Sequence, residues 1–323
     1  MASKSHYRSL ANLLGPFIGL LVVVGLFSLS PEVRGTMFLG GNLKTILNQT
    51  VIVALGALGM TLIIISGGID LSAGSLVALT SVCGACLIVM GMPVIVVVLG
   101  TILAGGLAGA VNGGIIGRFQ MVPFIVTLGM MGVARGASKW LSDNQTVNYD
   151  GNHPVNSIMR SRNPLEFFPL PAGVWVTLVL AIIMGFVLRK SIFGRYIFAI
   201  GSNEDTARLC GVRVRWTKFL VYTVAGLFFG LAGLMQLSRL TQGDPSIAVG
   251  LELEIIAAVV IGGASLNGGS GSILGSMIGA LIMAILKNGS SQLLWPDYMQ
   301  EIIIGIVIII AVAIDKFRQR RPA

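Results

Sequence analysis

One carboxylate, Asp70, stands between two long uncharged stretches of this chain. It lies in a segment rich in glycine and serine, residues 67–75, which follows the apolar run 51–65 and precedes the run 76–90. An ionised side chain placed within a bilayer costs roughly 2.5–3.5 kcal/mol on insertion scales, so residues of this kind usually serve a function. Asp70 and the nearby Ser72 are therefore predicted to belong to a path for a polar solute.

Asp70 could act in three ways, and other polar residues extend the candidate path. The carboxylate could cap backbone amides at the start of the following helix, accept hydrogen bonds from solute hydroxyl groups, or relay a proton. Asn112 lies in another apolar run and must find a partner or line a cavity. Glu252 and Glu254 follow the turn at 244–245 and are expected near a helix start, where the helix dipole favours acidic groups.

The composition places the chain among helical membrane proteins. Hydrophobic residues make up 54% of the 323 positions, charged residues only 11%, and the mean hydropathy is +0.88. A soluble domain carries about 25% charged residues. The apolar runs are continuous rather than alternating, which excludes a β-barrel. The net charge of +9 follows the expected loops rather than a binding stripe, so we expect contact with membrane lipid and no nucleic-acid partner.

Ten apolar segments predict an all-α, polytopic membrane protein with about ten transmembrane helices, since a span needs about 20 apolar residues. They are approximately 10–29, 45–66, 71–90, 93–117, 122–141, 172–188, 218–237, 249–263, 271–288 and 300–314. Eight spans is the alternative, because the third segment could be a broken helix and the eighth could be partly re-entrant. Basic residues favour the cytoplasmic side. Ten spans with both termini in the cytoplasm place most of the basic residues there, including the seven within 189–218.

The middle of this basic cytoplasmic loop predicts a short helix. Ser202 or Asn203 can cap it, and Glu204 and Asp205 then occupy its first turn, where they favour the helix dipole. Gly211 can end the helix in the left-handed conformation. A connection between two spans does not require such a helix. It is therefore interpreted either as a docking element for a cytoplasmic partner or as an interfacial helix on anionic lipid.

The longest outer loop, residues 142–171, is polar and rich in asparagine and proline. It is too short for a domain and too irregular for a span. A surface that contacts an external partner and a plain solvated connector remain equally open interpretations.

The sequence lacks the signatures of an enzyme. It contains no G-x-x-x-x-G-K-[ST] phosphate-binding loop, so ATP, if it drives the protein, must bind to another chain. No Ser/His/Asp arrangement, dinucleotide fingerprint or metal-ligand cluster is present, and Cys83 and Cys86 are interpreted as packing residues of an apolar helix. We therefore predict no catalytic activity, no cofactor and no metal.

Several motifs, taken in order along the chain, resemble bacterial ABC-importer permeases of the ribose-type monosaccharide class. They are the segment 68–75, the tripeptide at 194–196 and the glycine-rich segment 262–271. Glu204 followed seven residues later by Gly211 resembles the E-A-A…G coupling loop of such permeases, although Asp205 and Thr206 replace the two alanines. The resemblance runs from about Leu43 to Asp315.

The resemblance implies a transport subunit with partners. One transmembrane permease domain would span residues 1–323 in the bacterial inner membrane, beside a second permease copy or a paralogue. A cytoplasmic ATP-binding subunit would contact the coupling loop, residues 189–218, through Glu204, Asp205, Arg208 and Gly211. A periplasmic sugar-binding protein would deliver a monosaccharide or related small polar solute. The alternative is an ion-coupled secondary transporter that uses Asp70.

Overall fold

The structure, a computed structural model, describes residues 2–160 and 170–319, and α-helices account for most of them. The helices are α1 Ala2–Ser28, α2 Pro31–Arg34, α3 Gly40–Ile65, α4 Ala73–Val89, α5 Val94–Phe119, α6 Pro123–Leu141, α7 Ala172–Lys190, α8 Ile192–Ser202, α9 Glu204–Leu209, α10 Val214–Leu240, α11 Leu251–Ile261, α12 Ile273–Gln292 and α13 Asp297–Gln319. A two-stranded ribbon, β1 Val147–Asn148 with β2 Gln242–Gly243, and a 3-10 helix, Pro154–Ile158, complete the fold.

Each of the ten predicted apolar segments coincides with a helix, which confirms an all-α membrane architecture. Within the described ranges, five helices are long and apolar enough to cross a bilayer by length and composition: α3, α5, α7, α10 and α12. Helix α11 departs most from a full span. Its 11 residues extend only about 16 Å, roughly half of a 30 Å bilayer core, because Gly250 at φ 78° begins it and Gly263 at φ 89° follows its end.

Helix α3 forms the centre of the bundle. Its residues are buried almost without interruption from Thr50 to Ile65, and α7, α10, α11 and α12 pack around it. A helix that is apolar on every side lies either in lipid or in a protein core, and here the neighbouring helices cover α3. The core therefore depends on α3, and the segment 66–72 that follows its end begins inside the protein.

Glycines bring α5 and α10 into backbone contact. Gly105, Gly109, Gly113 and Gly117 lie along one face of α5, and Gly226 and Gly230 face them from α10. A Cβ atom added at Gly109 would lie 2.9 Å from the Gly226 Cα, closer than carbon atoms approach. Such a face of small residues allows the close helix packing that membrane proteins use.

Two glycines of α5, Gly109 and Gly114, offer a matched test of this contact. We expect Gly109→Ala to destabilise the protein by about 1–3 kcal/mol, because the new methyl group meets α10 backbone. Gly114 has no atom within 4 Å of an added Cβ, so Gly114→Ala should leave stability unchanged or raise it. The melting temperature of each variant is measured in detergent, with the loss of the monodisperse size-exclusion peak on heating as the signal. Equal melting temperatures would show that the α5–α10 contact does not limit stability.

Candidate functional site

The Asp70 carboxylate closes a tight turn between α3 and α4. Its Oδ1 accepts hydrogen bonds from the Ser72 amide at 2.8 Å and the Ser72 hydroxyl at 2.5 Å, and both side chains are buried. The predicted cap is therefore wrong in one respect. Ser72, and not Asp70, occupies the N-cap position of α4, because the carboxylate bonds to the residue two positions on and forms an Asx turn.

Neighbouring helices hold this turn in place. The Asn112 Nδ2 of α5 donates to the Ser72 hydroxyl at 3.2 Å, so the structure brings together Asp70, Ser72 and Asn112. From α6, the Thr127 hydroxyl accepts from the Leu71 amide and donates to the Ile69 carbonyl, each at 3.2 Å. These bonds provide partners for backbone groups that no helix satisfies. Sequence reasoning missed Thr127, whose position near the start of α6 carries no distinguishing signal.

Two polar atoms near the turn remain unsatisfied within the described part of the chain. The Asn112 Oδ1 and the Tyr222 hydroxyl are both buried and have no hydrogen-bond partner there. A Cβ at Gly68 would collide with the Tyr222 hydroxyl, so the turn passes directly against this side chain. Buried polar atoms that lack a protein partner are usually satisfied by ordered water. This region is therefore polar enough to take up water or solute.

A second irregular segment, residues 241–250, runs back into the bundle after α10. Gly243 lies against Ser81 and Val82 of α4, and the Ala248 carbonyl lies against Gly74, nearer the start of that helix. The segment therefore follows α4 towards the Asp70 turn. We call it the re-entrant segment.

Arg135 of α6 holds the re-entrant segment. Its Nη1 donates to the carbonyls of Pro245 at 2.7 Å and Ile247 at 2.6 Å. The Asp244 carboxylate accepts from the Ser246 amide at 2.8 Å and tightens the same turn. Sequence reasoning missed Arg135, although a lone arginine inside an apolar segment is a signal of function or structural support.

The two glutamates of α11 lie in its first turn, as predicted, but they face different neighbours. The Glu252 Oε2 is buried against Gly74 of α4 and has no hydrogen-bond partner in the described structure. Glu254 instead pairs with Lys287 of α12 at 3.1 Å. Glu252 thus lies beside the start of α4, which directly follows the Asp70 turn. Glu254 belongs to a separate polar cavity.

The predicted short helix of the coupling loop is present as α9. Asn203 caps it by accepting from the Thr206 amide at 2.9 Å, and Gly211 follows it at φ 86°. Glu204 accepts hydrogen bonds from Arg208 at 3.1 Å and from Lys218 of α10 at 2.6 Å. The Lys218 bond anchors the start of α9 to a long helix.

Asp205 and Leu209 instead face outward from α9. The Asp205 carboxylate is 89% exposed and 3.8 Å from Arg208. Leu209 is 88% exposed at the end of the helix. The surface of α9 thus presents an apolar side chain beside charged ones.

Helix α8 connects this surface to the Asp70 turn. Gly201, near its end, lies directly against the Ile65 carbonyl and the Gly269 amide. The Gly269 amide also donates to the Ile65 carbonyl at 2.9 Å. Ile65 is the last residue of α3, immediately before the segment that contains Asp70. Backbone contact therefore joins α8 to the end of α3, next to that turn.

The described part of the 142–171 loop folds onto the opposite end of α10. Strand β1 pairs with β2, and the Tyr149 hydroxyl donates to the Asn156 Oδ1 at 2.7 Å. Burial raises the pKa of Tyr149 to about 12. The loop is therefore a packed cover up to residue 160, whereas residues 161–169, including Asn163, lie outside the described residues. We call this end of the bundle the ribbon end.

Comparison with known proteins identifies the class. Residues 42–312 match the family model described as branched-chain amino acid transport system, permease component. The ribose import permease of Escherichia coli K12 is 38% identical over 94% of this chain and 93% of its own length. That of Bacillus subtilis is 40% identical, over 97% and 95%. The L-arabinose ABC transporter permease of Azospirillum brasilense is 35% identical, over 87% and 81%. No solved structure matches.

The chain belongs to this family of transport-system permeases. It is a permease subunit of an ABC importer and a multi-pass protein of the bacterial inner membrane. The resemblance read from the sequence motifs is thereby confirmed. The alternative of an ion-coupled secondary transporter is wrong, because the relatives are ABC importer permeases.

Substitutions at Asp70 test its part in the turn. Asp70→Asn keeps the Oδ1 acceptor for the Ser72 amide, so we expect expression and transport to stay close to wild type. Asp70→Ala leaves the buried Ser72 amide without its partner, which costs about 1–3 kcal/mol, and should lower the melting temperature. Glu301→Ala, at an exposed acid of α13, is the control. Normal stability and transport in Asp70→Ala would contradict any role for this carboxylate.

Proposed function

We propose that this chain is the membrane-spanning subunit of an ATP-driven importer for a monosaccharide or a related small polar solute. A periplasmic binding protein delivers the solute, and a cytoplasmic partner hydrolyses ATP. The observation that carries the proposal is the match of relatives named for ribose, L-arabinose and fructose import over nearly the whole chain.

The proposed topology has ten spans with both termini in the cytoplasm, all in one permease domain over residues 1–323. Helix α7 ends and α10 begins beside α8 and α9, so these two spans place the coupling loop at one end of the bundle and the ribbon at the other. The basic residues of 189–218 favour the cytoplasm for that end. The re-entrant segment and α11 together replace one full span. A second permease copy or a paralogue completes the membrane part.

The proposed coupling mechanism runs from the ATP-binding subunit to the Asp70 turn. Exposed Leu209 and the charged side chains of Asp205 and Arg208 offer a docking surface, and the Glu204–Lys218 bond keeps α9 attached to α10. The contact of Gly201 with the end of α3 favours a docking role over a helix that merely rests on anionic lipid. Closure of the ATP-binding subunits would displace α9 and thereby the turn.

Variants of α9 test this coupling. Glu204→Lys places a positive charge beside Lys218 and removes the anchor of α9, and Gly211→Val disfavours the positive φ at its end. We expect both to reduce stimulation of the ATPase and solute uptake about tenfold, with membrane insertion unchanged. Glu301→Gln, at an exposed acid of α13 away from α9, is the control. Wild-type uptake in both variants would exclude α9 from coupling.

Reconstitution tests the import function itself. The purified chain alone should hydrolyse no ATP, because it has no phosphate-binding loop. Proteoliposomes that contain the chain, its ATP-binding partner and its binding protein should accumulate labelled D-ribose, L-arabinose or D-fructose only with ATP. Loss of the Walker-motif lysine in the partner is the control. Accumulation that is independent of ATP, or accumulation of L-leucine and of none of the sugars, would contradict the proposal.

A further inference from the structure

A polar cavity lies inside this single chain, separate from the Asp70 turn. It has a volume of about 250 Å³ and lies between α3, α10, α12 and the start of α11. Its polar lining residues are Gln49, Gln236, Arg239, Glu254 and Lys287. These positions are in the halves of α3, α10 and α12 nearer the ribbon end. The cavity therefore faces the side from which the proposed import begins.

The size of the cavity fits a small solute. Its volume of about 250 Å³ lies just below the usual range of ligand sites. Sites for drug-sized ligands usually span about 300–1,000 Å³. A ligand smaller than a typical drug molecule therefore fills this space.

The polar groups of the cavity include both hydrogen-bond acceptors and donors. The Gln49 Oε1 is buried and has no partner in the described parts of the chain, so it is an acceptor ready for a ligand. Gln236 is 7% exposed and carries a second amide. Glu254 and Lys287 form an ion pair at 3.1 Å and leave further acceptor and donor positions free. Hydroxyl groups, which both donate and accept, complement such a mixed lining.

The remaining lining combines an apolar wall with a further donor. Ile52, Val53 and Met283 provide an apolar wall, which suits the carbon skeleton of a compact solute. Arg239 supplies a further hydrogen-bond donor, and the Glu254 carboxylate is already paired with Lys287 at 3.1 Å. A lipid chain would lose the hydrogen bonds that the glutamines offer.

The re-entrant segment separates the cavity from the Asp70 turn. Ala248 and Val249 of the segment line the cavity, whereas the Ala248 carbonyl and Glu252 lie against Gly74 at the start of α4. The two Arg135 hydrogen bonds hold this segment in place. A solute in the cavity would therefore lie on the ribbon side of the re-entrant segment, which separates it from the Asp70 turn.

We propose that this cavity is a binding site within one permease chain for a neutral polyhydroxylated solute. Gln49, Gln236 and the Glu254–Lys287 pair supply its hydrogen bonds, and the aliphatic wall contacts its carbon skeleton. The inference rests on the proposed function, since it assigns a transient site to the imported solute.

Thiol labelling tests whether the cavity holds water and sugar. In the full-length chain, with Cys83, Cys86 and Cys210 replaced by alanine, Ala284→Cys places a thiol in the cavity wall. Leu274→Cys, on the exposed apolar surface of the same helix, is the matched control. In nanodiscs, a charged methanethiosulfonate reagent should label the first thiol and not the second. Absence of labelling at Ala284→Cys would overturn the proposal.

Protection by D-ribose tests the ligand class. For a Kd on the order of 10 mM, about 50 mM D-ribose should slow labelling of Ala284→Cys about sixfold, and L-leucine should not. Adding Gln236→Leu should abolish protection while labelling persists, whereas the exposed-site control Gln120→Leu should keep it. Labelling that D-ribose, L-arabinose and D-fructose all leave unchanged, protection by L-leucine, or protection that survives Gln236→Leu would each overturn the site.

The two proposals fail separately. Uptake of D-ribose by the reconstituted importer without any protection of Ala284→Cys would overturn the cavity site alone. Protection by D-ribose without ATP-dependent uptake would support the site and contradict the import function.

Discussion

The structure depends on one constraint: two stretches of non-helical backbone lie within a bundle of apolar helices, and their peptide groups need hydrogen-bond partners there. Irregular backbone at membrane depth is tolerated only where protein surrounds it or where it lines a cavity. Asp70 and Thr127 satisfy the turn after α3, and Arg135 satisfies two carbonyls of the re-entrant segment. Asp70, which the sequence predicts to belong to a solute path, thus serves to hold backbone structure in place.

The same two breaks in helical structure create the features that a permease needs. The turn after α3 is where α8 contacts the core, through Gly201 and the Ile65 carbonyl. The re-entrant segment forms one wall of the polar cavity and also lies against the start of α4. Both breaks meet α4, so a change in one changes the surroundings of the other. Continuous helices would offer neither a cavity nor a movable connection.

Close packing of the surrounding helices gives these breaks a rigid frame. Helices α5 and α10 meet backbone to backbone at their glycines, and α12 approaches α11 in the same way at Gly275 and Gly279. Without a strong hydrophobic force between helices in lipid, such contact supplies much of the association energy. Asn112, which lies between Gly109 and Gly113 of this α5 face, donates to the Ser72 hydroxyl at 3.2 Å. The glycine faces therefore position the polar turn as well as stabilise the bundle.

The sequence by itself determined the helices, the membrane class and the caps of α9, because apolar runs and capping residues act over a few neighbouring positions. Its motifs also indicated the importer family. Only the tertiary structure decided that Asn112 and Thr127 hold the Asp70 turn, that Arg135 binds the re-entrant segment, and that Glu252 and Glu254 face different helices. It also assembled Gln49 and Gln236 into one cavity. Those outcomes join residues far apart in the chain, and the register of packed helices, which no local pattern encodes, sets them.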